Sequence, residues 1–294
     1  MPTFEPLGEH FGARIVGLDL DRPIGPDMAA DLRKALCDHR LLLLRQGPLS
    51  EQQQIDLLAA LGKVMIEVPG GGPVTRISAD PSVGYVSGPM RLLFHSDGQF
   101  TAFGALQAIS LYAEEMERCE PTIFADMVAA ARRLPDDLRR KIADLQIVQC
   151  ADLTGSTERV RSRLSNQKPG VPDSQFPRAV HPLLGGHRIT GEPMINVSEL
   201  FTSHIVGMTD AQSDAVFAQL ADYQYQPGYL YAHPWQLHDL VIWDNIGLQH
   251  SRSELAAPSG RTLRRVSINA LDNAETMRGV TPAKGLLPEA GEGW

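Results

Sequence analysis

The stretch Leu240-Val241-Ile242-Trp243 (residues 240–243) sets the architecture, because four consecutive apolar residues rich in β-branched and aromatic types predict a buried strand. Leu41–Leu44 is a second apolar run of this length, and residues 106–113 predict a third buried strand. Residues 12–20, where apolar and polar residues alternate between glycines, predict an edge strand. The chain is therefore expected to have a core built from short strands.

Helical periodicity is confined to a few segments. Apolar residues recur at helical spacing over residues 27–39 and 52–61, and residues 126–145 predict two further helices separated by a turn. Thr209, followed three residues later by Gln212, predicts the start of another helix. Because strands and helices do not alternate regularly, the sequence predicts a mixed α+β fold with a jelly-roll or barrel core and helical insertions.

Composition favours a compact globular protein. The 294 residues are 43% hydrophobic and 21% charged, a balance that argues against disorder. The net charge of −8 argues against a nucleic-acid partner. Three cysteines form no metal or disulfide pattern, and the N-terminus lacks the basic and apolar regions of a signal peptide. We therefore expect a cytoplasmic protein with no membrane partner.

No shift in composition divides the chain, which predicts a single domain over residues 1–294. Residues 151–182 are polar and rich in proline, and they are too long for a plain connector. Loops of this kind often close over active sites. We therefore expect a lid within residues 151–182.

The motif His95-Ser96-Asp97 places an imidazole and a carboxylate on one face of a strand, because alternate side chains of a strand point the same way. His250 lies beyond the apolar run that ends at Trp243, where a strand end would hold it rigidly. Two histidines and one carboxylate can form a facial triad that binds Fe(II) and leaves positions open for oxygen chemistry. Zn(II) accepts the same ligands, so the triad alone leaves hydrolysis as an alternative.

Three arginines follow His250 on a predicted strand. Alternation sends Arg261 and Arg265 to one face and Arg264 to the other, where we expect it to be solvated. The planar guanidinium of arginine matches a carboxylate bidentately, so an inward-facing Arg261 near a metal implies a bound acid. The arginines therefore favour a metal site that binds an organic acid.

The metal-binding and arginine motifs occur together at a characteristic spacing: His95-x-Asp97, His250 after Trp243-Asp244-Asn245, and Arg261 and Arg265 eleven and fifteen residues beyond His250. In this combination the chain resembles the Fe(II)/2-oxoglutarate-dependent taurine dioxygenase family, which includes the phenoxyalkanoate herbicide dioxygenases. The resemblance implies a double-stranded β-helix in which His95, Asp97 and His250 hold Fe(II). It also implies that O2 and 2-oxoglutarate are consumed, that succinate and CO2 are released, and that the substrate is oxidised, by default through hydroxylation.

The resemblance also implies roles for residues that contact the cosubstrate and the substrate. The far carboxylate of 2-oxoglutarate would meet Thr122 and Arg261, and substrate contacts would come from Arg265, Arg91 and Glu67. Cationic and carboxylate side chains together imply a small acidic or zwitterionic substrate, and not taurine, because Glu67 would repel a sulfonate. Members of the family are often homodimers or homotetramers, and we expect one of these states here.

Two other classes of function stay open. A zinc-dependent hydrolase would use the same three ligands and a bound water, but Arg261 and Thr122 would then have no cosubstrate to bind. A non-catalytic jelly-roll binding protein would carry an accidental His-x-Asp motif and would have no affinity for iron. Within the oxygenase class, halogenating relatives have a small residue in place of the carboxylate, so Asp97 argues against halogenation.

Overall fold

The structure is a computed structural model that describes residues 2–67, 71–78, 83, 85–86, 90–117, 120–154, 160–254 and 260–276. The α-helices within these residues are α1 (Pro26–His39), α2 (Glu51–Leu61), α3 (Met127–Arg133), α4 (Asp136–Ile142), α5 (Asp210–Gln224) and α6 (Asn273–Thr276). The strands are β1 (Thr3–Pro6), β2 (Ala13–Val16), β3 (Leu41–Leu44), β4 (Val74–Ser78), β5 (Tyr85–Val86), β6 (Leu92–His95), β7 (Ala108–Met116), β8 (Thr122–Asp126), β9 (Gln146–Cys150), β10 (Arg178–Pro182), β11 (Leu184–Gly186), β12 (Pro193–Ile195), β13 (Thr202–Ile205), β14 (Leu230–His233), β15 (Leu240–Asp244), β16 (Leu248–Arg252) and β17 (Arg261–Ile268).

Two sheets contain most of these strands. The larger has the order β1-β2-β3-β15-β7-β17-β4-β5, and the smaller has the order β14-β8-β16-β6. Two further sheets, β10-β9-β13 and β11-β12, are shorter. The apolar run that forms β15 lies in the middle of the larger sheet, between β3 and β7, as its burial requires. The expected mixture of strands and helices is confirmed.

The two faces of the larger sheet are covered by different layers. Ile242 of β15 packs with Leu32 of α1 in one apolar cluster, on the side of the helices. The next residue, Trp243, points to the other face and joins a cluster that includes Phe124 of β8 and Leu248 of β16. The smaller sheet therefore packs against the larger one across this second cluster.

The five predicted helices are confirmed as α1 to α5, and the bounds of α1 and α2 lie within one residue of those expected. Ser50 and Thr209 both form capping boxes, with Gln53 and Gln212 as the reciprocal partners. The opening strand differs from the prediction, because β2 is four residues long and lies inside the sheet. β1 pairs with its outer side and forms the edge. Mostly exposed side chains give β1 little of the alternating pattern that identifies a strand.

Arg264 does not face solvent, and that expectation is wrong. Its side chain donates hydrogen bonds to Gln54 Oε1 and to the carbonyl oxygen of Leu49, each at 2.7 Å, and pairs with Glu114 at 3.1 Å. The alternation along β17 is as expected, with Arg264 opposite in direction to Arg261 and Arg265. The far face of the strand is covered by α2 instead of water, which explains the burial.

The predicted lid segment is described over residues 151–154 and 160–182. Leu164 and Phe176 pack against Val148 and Cys150, and Arg163 pairs with Asp210 at the start of α5. Closure of this segment over a site stays a prediction, as does the single-domain organisation. No helix in the described part of the chain is long and apolar enough to cross a bilayer.

Candidate metal centre

Three predicted ligands meet between two neighbouring strands of the smaller sheet. His95 ends β6 and is the direct cross-strand partner of His250 on β16, while Asp97 follows β6 in a turn. One ligand atom from each residue lies within 4.8 Å of the other two. Asp97 Oδ1 is 3.1 Å from His95 Nε2 and 3.9 Å from His250 Nε2. The three donors therefore converge on one point.

Both imidazoles are held with a ring nitrogen available to a metal. His95 Nδ1 lies 2.7 Å from the carbonyl oxygen of Leu93, to which it donates, so Nε2 is the ring nitrogen directed at the other two ligands. His250 is buried beside the rings of Trp243 and Phe124, at centroid distances of 5.0 and 6.3 Å. Burial, and then the neighbouring His95, lower the pKa of His250 to about 3. Neutral imidazoles are the form that binds metal ions.

The turn that carries Asp97 is fixed by a side-chain amide. Asn245 Oδ1 accepts a hydrogen bond from the backbone N–H of Asp97, and Asn245 Nδ2 donates to the carbonyl oxygen of the same residue, both at 3.1 Å. Ser96 Oγ donates to the carbonyl oxygen of Leu248 at 3.0 Å. These bonds attach the turn to the segment around β16, so the carboxylate and His250 are positioned together.

Arg265 lies directly behind the carboxylate. Its Nη1 is 2.5 Å from Asp97 Oδ2, and its Nε donates to Glu67 Oε1 at 2.8 Å. Ser267 Oγ also donates to Glu67 Oε1. Burial alone would raise the pKa of the Asp97 carboxyl, but Arg265 and the two histidines hold it well below its usual range. Asp97 is therefore ionised, with Oδ1 directed at the histidines.

A cavity opens beside His250. Its wall includes the two residues expected to bind a cosubstrate carboxylate, Thr122 at the start of β8 and Arg261 at the start of β17. Both are buried, and Trp235 contacts both of them. The remaining lining residues are Ile77, Leu92, Leu111, Trp243, Ser251, Arg252, Leu263 and Arg265. An apolar pocket with a few converging cationic and hydroxyl groups suits a small organic acid.

The donor set fits a divalent transition metal. Two imidazole nitrogens and one carboxylate oxygen come from one side, and the adjoining cavity provides room for a chelating acid. The positive charge of Arg265 would by itself disfavour a bound metal ion, but it is balanced because Arg265 pairs with two carboxylates, Asp97 and Glu67. The arrangement can therefore bind a metal and a carboxylate ligand side by side.

The structure brings most of the predicted site residues together, but not all of them. Arg265 contacts the metal ligand Asp97, and Glu67 contacts Arg265, while the substrate roles of both residues stay predictions. The side chain of Arg91 is 60% exposed and lies 3.5 Å from Glu199, away from the cavity lining. Its substrate role stays a prediction that this position does not favour.

Sequence reasoning missed the roles of three residues. Trp235 lies in the apolar core and also contacts the cavity residue Thr122. Arg252 follows His250 at a two-residue interval, which places both on one face of β16, and this spacing was an available signal. The Asp-Asn pair after the apolar run was a signal for the turn that Asn245 fixes.

A second buried polar cluster supports the same strands from behind. Arg40, at the C-terminal end of α1, pairs with Asp244 at 3.2 Å and with Asp126 at 3.3 Å. His187 Nε2 lies 2.8 Å from the same Asp244 oxygen. Gly247 leaves room for this cluster, since a Cβ there would lie 2.7 Å from Asp244 Oδ2. The cluster fixes the turn between β15 and β16.

Comparison with known proteins gives consistent matches along the chain. The sequence model of the family described as "Taurine catabolism dioxygenase TauD, TfdA family" matches residues 3–267. The alpha-ketoglutarate-dependent 2,4-dichlorophenoxyacetate dioxygenase of Burkholderia sp. (strain RASC) is 25% identical over 293 residues, with 90% of this chain and 93% of the relative covered. The (S)-phenoxypropionate/alpha-ketoglutarate-dioxygenase of Sphingobium herbicidovorans is 26% identical over 277 residues, covering 90% and 93%.

A solved structure shares the fold. The crystal structure of AAD-2 in complex with Mn(II) and N-oxalylglycine superposes with a TM-score of 0.77 at 22% identity, covering 93% of this chain and 98% of the other. The match supports the architecture of strands and helices described above.

Proposed function

Because the chain belongs to the taurine catabolism dioxygenase TauD, TfdA family and is an Fe(II)/2-oxoglutarate-dependent dioxygenase, we propose that His95, Asp97 and His250 hold the iron. We propose further that Thr122 and Arg261 bind the far carboxylate of 2-oxoglutarate. The observation that carries the proposal is the meeting of the three ligands at the edge of a cavity that contains both cosubstrate residues.

The iron, when bound, supplies the activation of O2, and 2-oxoglutarate is converted to succinate and CO2 while the substrate is oxidised. The protein side chains provide binding and orientation. Arg261 offers two parallel donors to a carboxylate, and the Thr122 hydroxyl offers a third. Leu111, Trp243 and Leu263 form apolar walls that exclude water from the bound cosubstrate.

The substrate is proposed to be a small organic acid or zwitterion. The relatives named above act on phenoxy acids, as their names state, and Arg265 supplies a cation next to the metal ligands. Arg265 already pairs with Asp97 and Glu67, so an acidic substrate group would share this arginine with two carboxylates. An amine or hydroxyl group of the substrate would be attracted to Glu67. Hydroxylation is the default outcome.

We also propose a specific architecture, oligomeric state and location for this dioxygenase. The face-to-face packing of the two large sheets supports a double-stranded β-helix with helical insertions. A single domain, a lid within residues 151–182, a homodimeric or homotetrameric state and a cytoplasmic location remain proposals that rest on the sequence.

The test is an anaerobic titration of the metal-free protein, first with Fe(II) and then with 2-oxoglutarate. A saturable visible charge-transfer band is expected, and Asp97→Ala should abolish it. His10→Ala is the matched control, because His10 is exposed and stacks on Tyr229 away from the three ligands. Absence of the band from the wild type, together with tight zinc binding, would favour a zinc hydrolase instead.

A further inference from the structure

Trp235 has an unusual position for a core tryptophan. It lies between β14 and β15, is 3% exposed and packs in the apolar cluster between the two large sheets. Its indole Nε1–H donates a hydrogen bond to Thr122 Oγ1 at 2.9 Å. The single polar atom of this side chain is therefore directed at a hydroxyl group of the cosubstrate cavity.

The same indole also contacts the second cosubstrate residue. The guanidinium carbon of Arg261 lies over the Trp235 ring, 5.9 Å from its centroid, which is within the range of a cation–π contact. One rigid ring thus touches both Thr122 and Arg261. Since these residues come from different sheets, Trp235 sets the distance between their polar groups.

The indole is itself held in place by neighbouring strands. His233, the cross-strand partner of Thr122, packs edge-on against Trp235 with ring centroids 4.7 Å apart. His233 Nε2 lies 3.0 Å from Asp239 Oδ2, and Arg45 pairs with the same carboxylate. These contacts leave Trp235 little freedom to rotate.

We propose that Trp235 is a positioning residue for the far carboxylate of 2-oxoglutarate, an inference that rests on the proposed function. A threonine hydroxyl has one proton to donate and lone pairs to accept. Because the indole N–H occupies an acceptor position of Thr122 Oγ1, the hydroxyl proton is directed elsewhere and is available to the carboxylate. The ring face at the same time steers the guanidinium of Arg261.

A purely structural tryptophan would not need this arrangement. Trp243 belongs to the same apolar cluster, and its Nε1 has no hydrogen-bond partner among the described residues. The cluster therefore tolerates an indole N–H without a partner. The hydrogen bond from Trp235 to Thr122 is better explained by its effect on the orientation of the Thr122 hydroxyl group.

The experiment compares two ligands that differ only in the far carboxylate. Binding of 2-oxoglutarate and of 2-oxovalerate to the anaerobic Fe(II)-loaded protein is measured by calorimetry for the wild type and for Trp235→Phe. Phenylalanine keeps an aromatic face for Arg261 and removes the N–H donor. We expect about five-fold weaker binding of 2-oxoglutarate, the usual effect of one lost hydrogen bond, and unchanged binding of 2-oxovalerate.

Tyr112→Phe is the matched control for general destabilisation. Tyr112 is also a buried aromatic residue that loses hydrogen bonds on truncation, in this case those with His238 and with the backbone N–H of Leu49, both outside the cavity lining. The Tyr112→Phe variant should prefer 2-oxoglutarate over 2-oxovalerate by the same ratio of dissociation constants as the wild type. Equal weakening of both ligands by Trp235→Phe, or no weakening, would overturn the positioning role while leaving the proposed function intact. A wild type that does not prefer 2-oxoglutarate would overturn the proposed function itself, and this inference with it.

A measurement on the wild-type indole does not depend on folding of that variant. In the Zn(II)-substituted protein, the Nε1–H resonance of Trp235 can be assigned by elimination with Trp243→Phe and Trp294→Phe. It should shift when 2-oxoglutarate binds and stay nearly constant with 2-oxovalerate. Equal shifts with both ligands would contradict the proposal.

Discussion

Asp97 and Arg265 form an ion pair with 2.5 Å between Oδ2 and Nη1, so the two carboxylate oxygens of Asp97 have different partners. Oδ2 faces the guanidinium, whereas Oδ1 faces His95 and His250. A carboxylate held in this way can offer one oxygen to a metal and cannot easily rotate to offer both. The arginine therefore sets the geometry of the metal site from behind.

Replacing Arg265 by methionine should weaken Fe(II) binding by about 10-fold, the lower end of the range for partners that orient metal ligands. The Asp97 carboxylate would lose its hydrogen bond and gain rotational freedom. Fe(II) titration under anaerobic conditions measures the effect. Arg264→Met is the matched control, since Arg264 lies on the opposite face of β17, and it should lower stability without changing metal affinity. Equal Fe(II) affinity in Arg265→Met and wild type would contradict this orientation role.

Arg261→Ala should raise the KM for 2-oxoglutarate by about 10-fold or more, because a charged hydrogen bond to the far carboxylate is lost. The kcat at saturating 2-oxoglutarate should change much less. Succinate release at varied cosubstrate concentration separates the two parameters. If the variant bound 2-oxoglutarate as the wild type does, the assignment of this carboxylate to Arg261 would be wrong.

Gly247→Ala should destabilise the fold by about 1–3 kcal/mol, the usual cost of overpacking. The added Cβ would lie 2.7 Å from Asp244 Oδ2 and 3.2 Å from Arg40 Nη1, so a buried ion pair would have to move. Urea denaturation gives the free energy of unfolding. Gly8→Ala serves as control, because a Cβ there meets nothing within 4 Å and should leave stability nearly unchanged.

Asp239 should make stability depend on pH in the acid range. Burial alone would raise the pKa of this carboxyl, but hydrogen bonds from Arg45 and His233 and from a backbone N–H lower it to about 2. A carboxyl with a depressed pKa stabilises the fold above its unfolded pKa of about 3.9, and this contribution is lost as the pH falls toward 2. The urea midpoint measured between about pH 5 and pH 2 should fall less steeply in Asp239→Asn. Parallel curves for the two proteins would contradict the assignment.

The sequence predicted those features that depend on local pattern. Helices α1 and α2 follow from apolar periodicity, the start of α5 follows from its capping residue Thr209, and β15 follows from its apolar run. Strand alternation also gave the correct faces for Arg261, Arg264 and Arg265. It could not show what covers each face, because that depends on which distant segments pack together, and the solvated position expected for Arg264 was wrong for this reason.

The candidate site was predictable to a similar extent. His95, Asp97 and His250 were identified by residue type and spacing, and the structure brings them together. The contact between Trp235 and Thr122 was not predictable, because it depends on the pairing of β14 with β8 and on the path of the following loop. Neither the register of two strands nor a loop conformation is encoded in a local motif.

The cross-strand pairing of His95 with His250 makes the stability of the folded protein depend on the bound metal ion. An ion bound to both histidines would cross-link distant parts of the chain. An ion that binds the folded state alone adds about 2.7 kcal/mol to the free energy of unfolding when the free ion is at 100 times its Kd. The melting temperature should therefore fall when the ion is removed by a chelator. A cell short of iron would then hold less of this protein as well as less of its activity, because the unfolded chain is the form that proteases degrade.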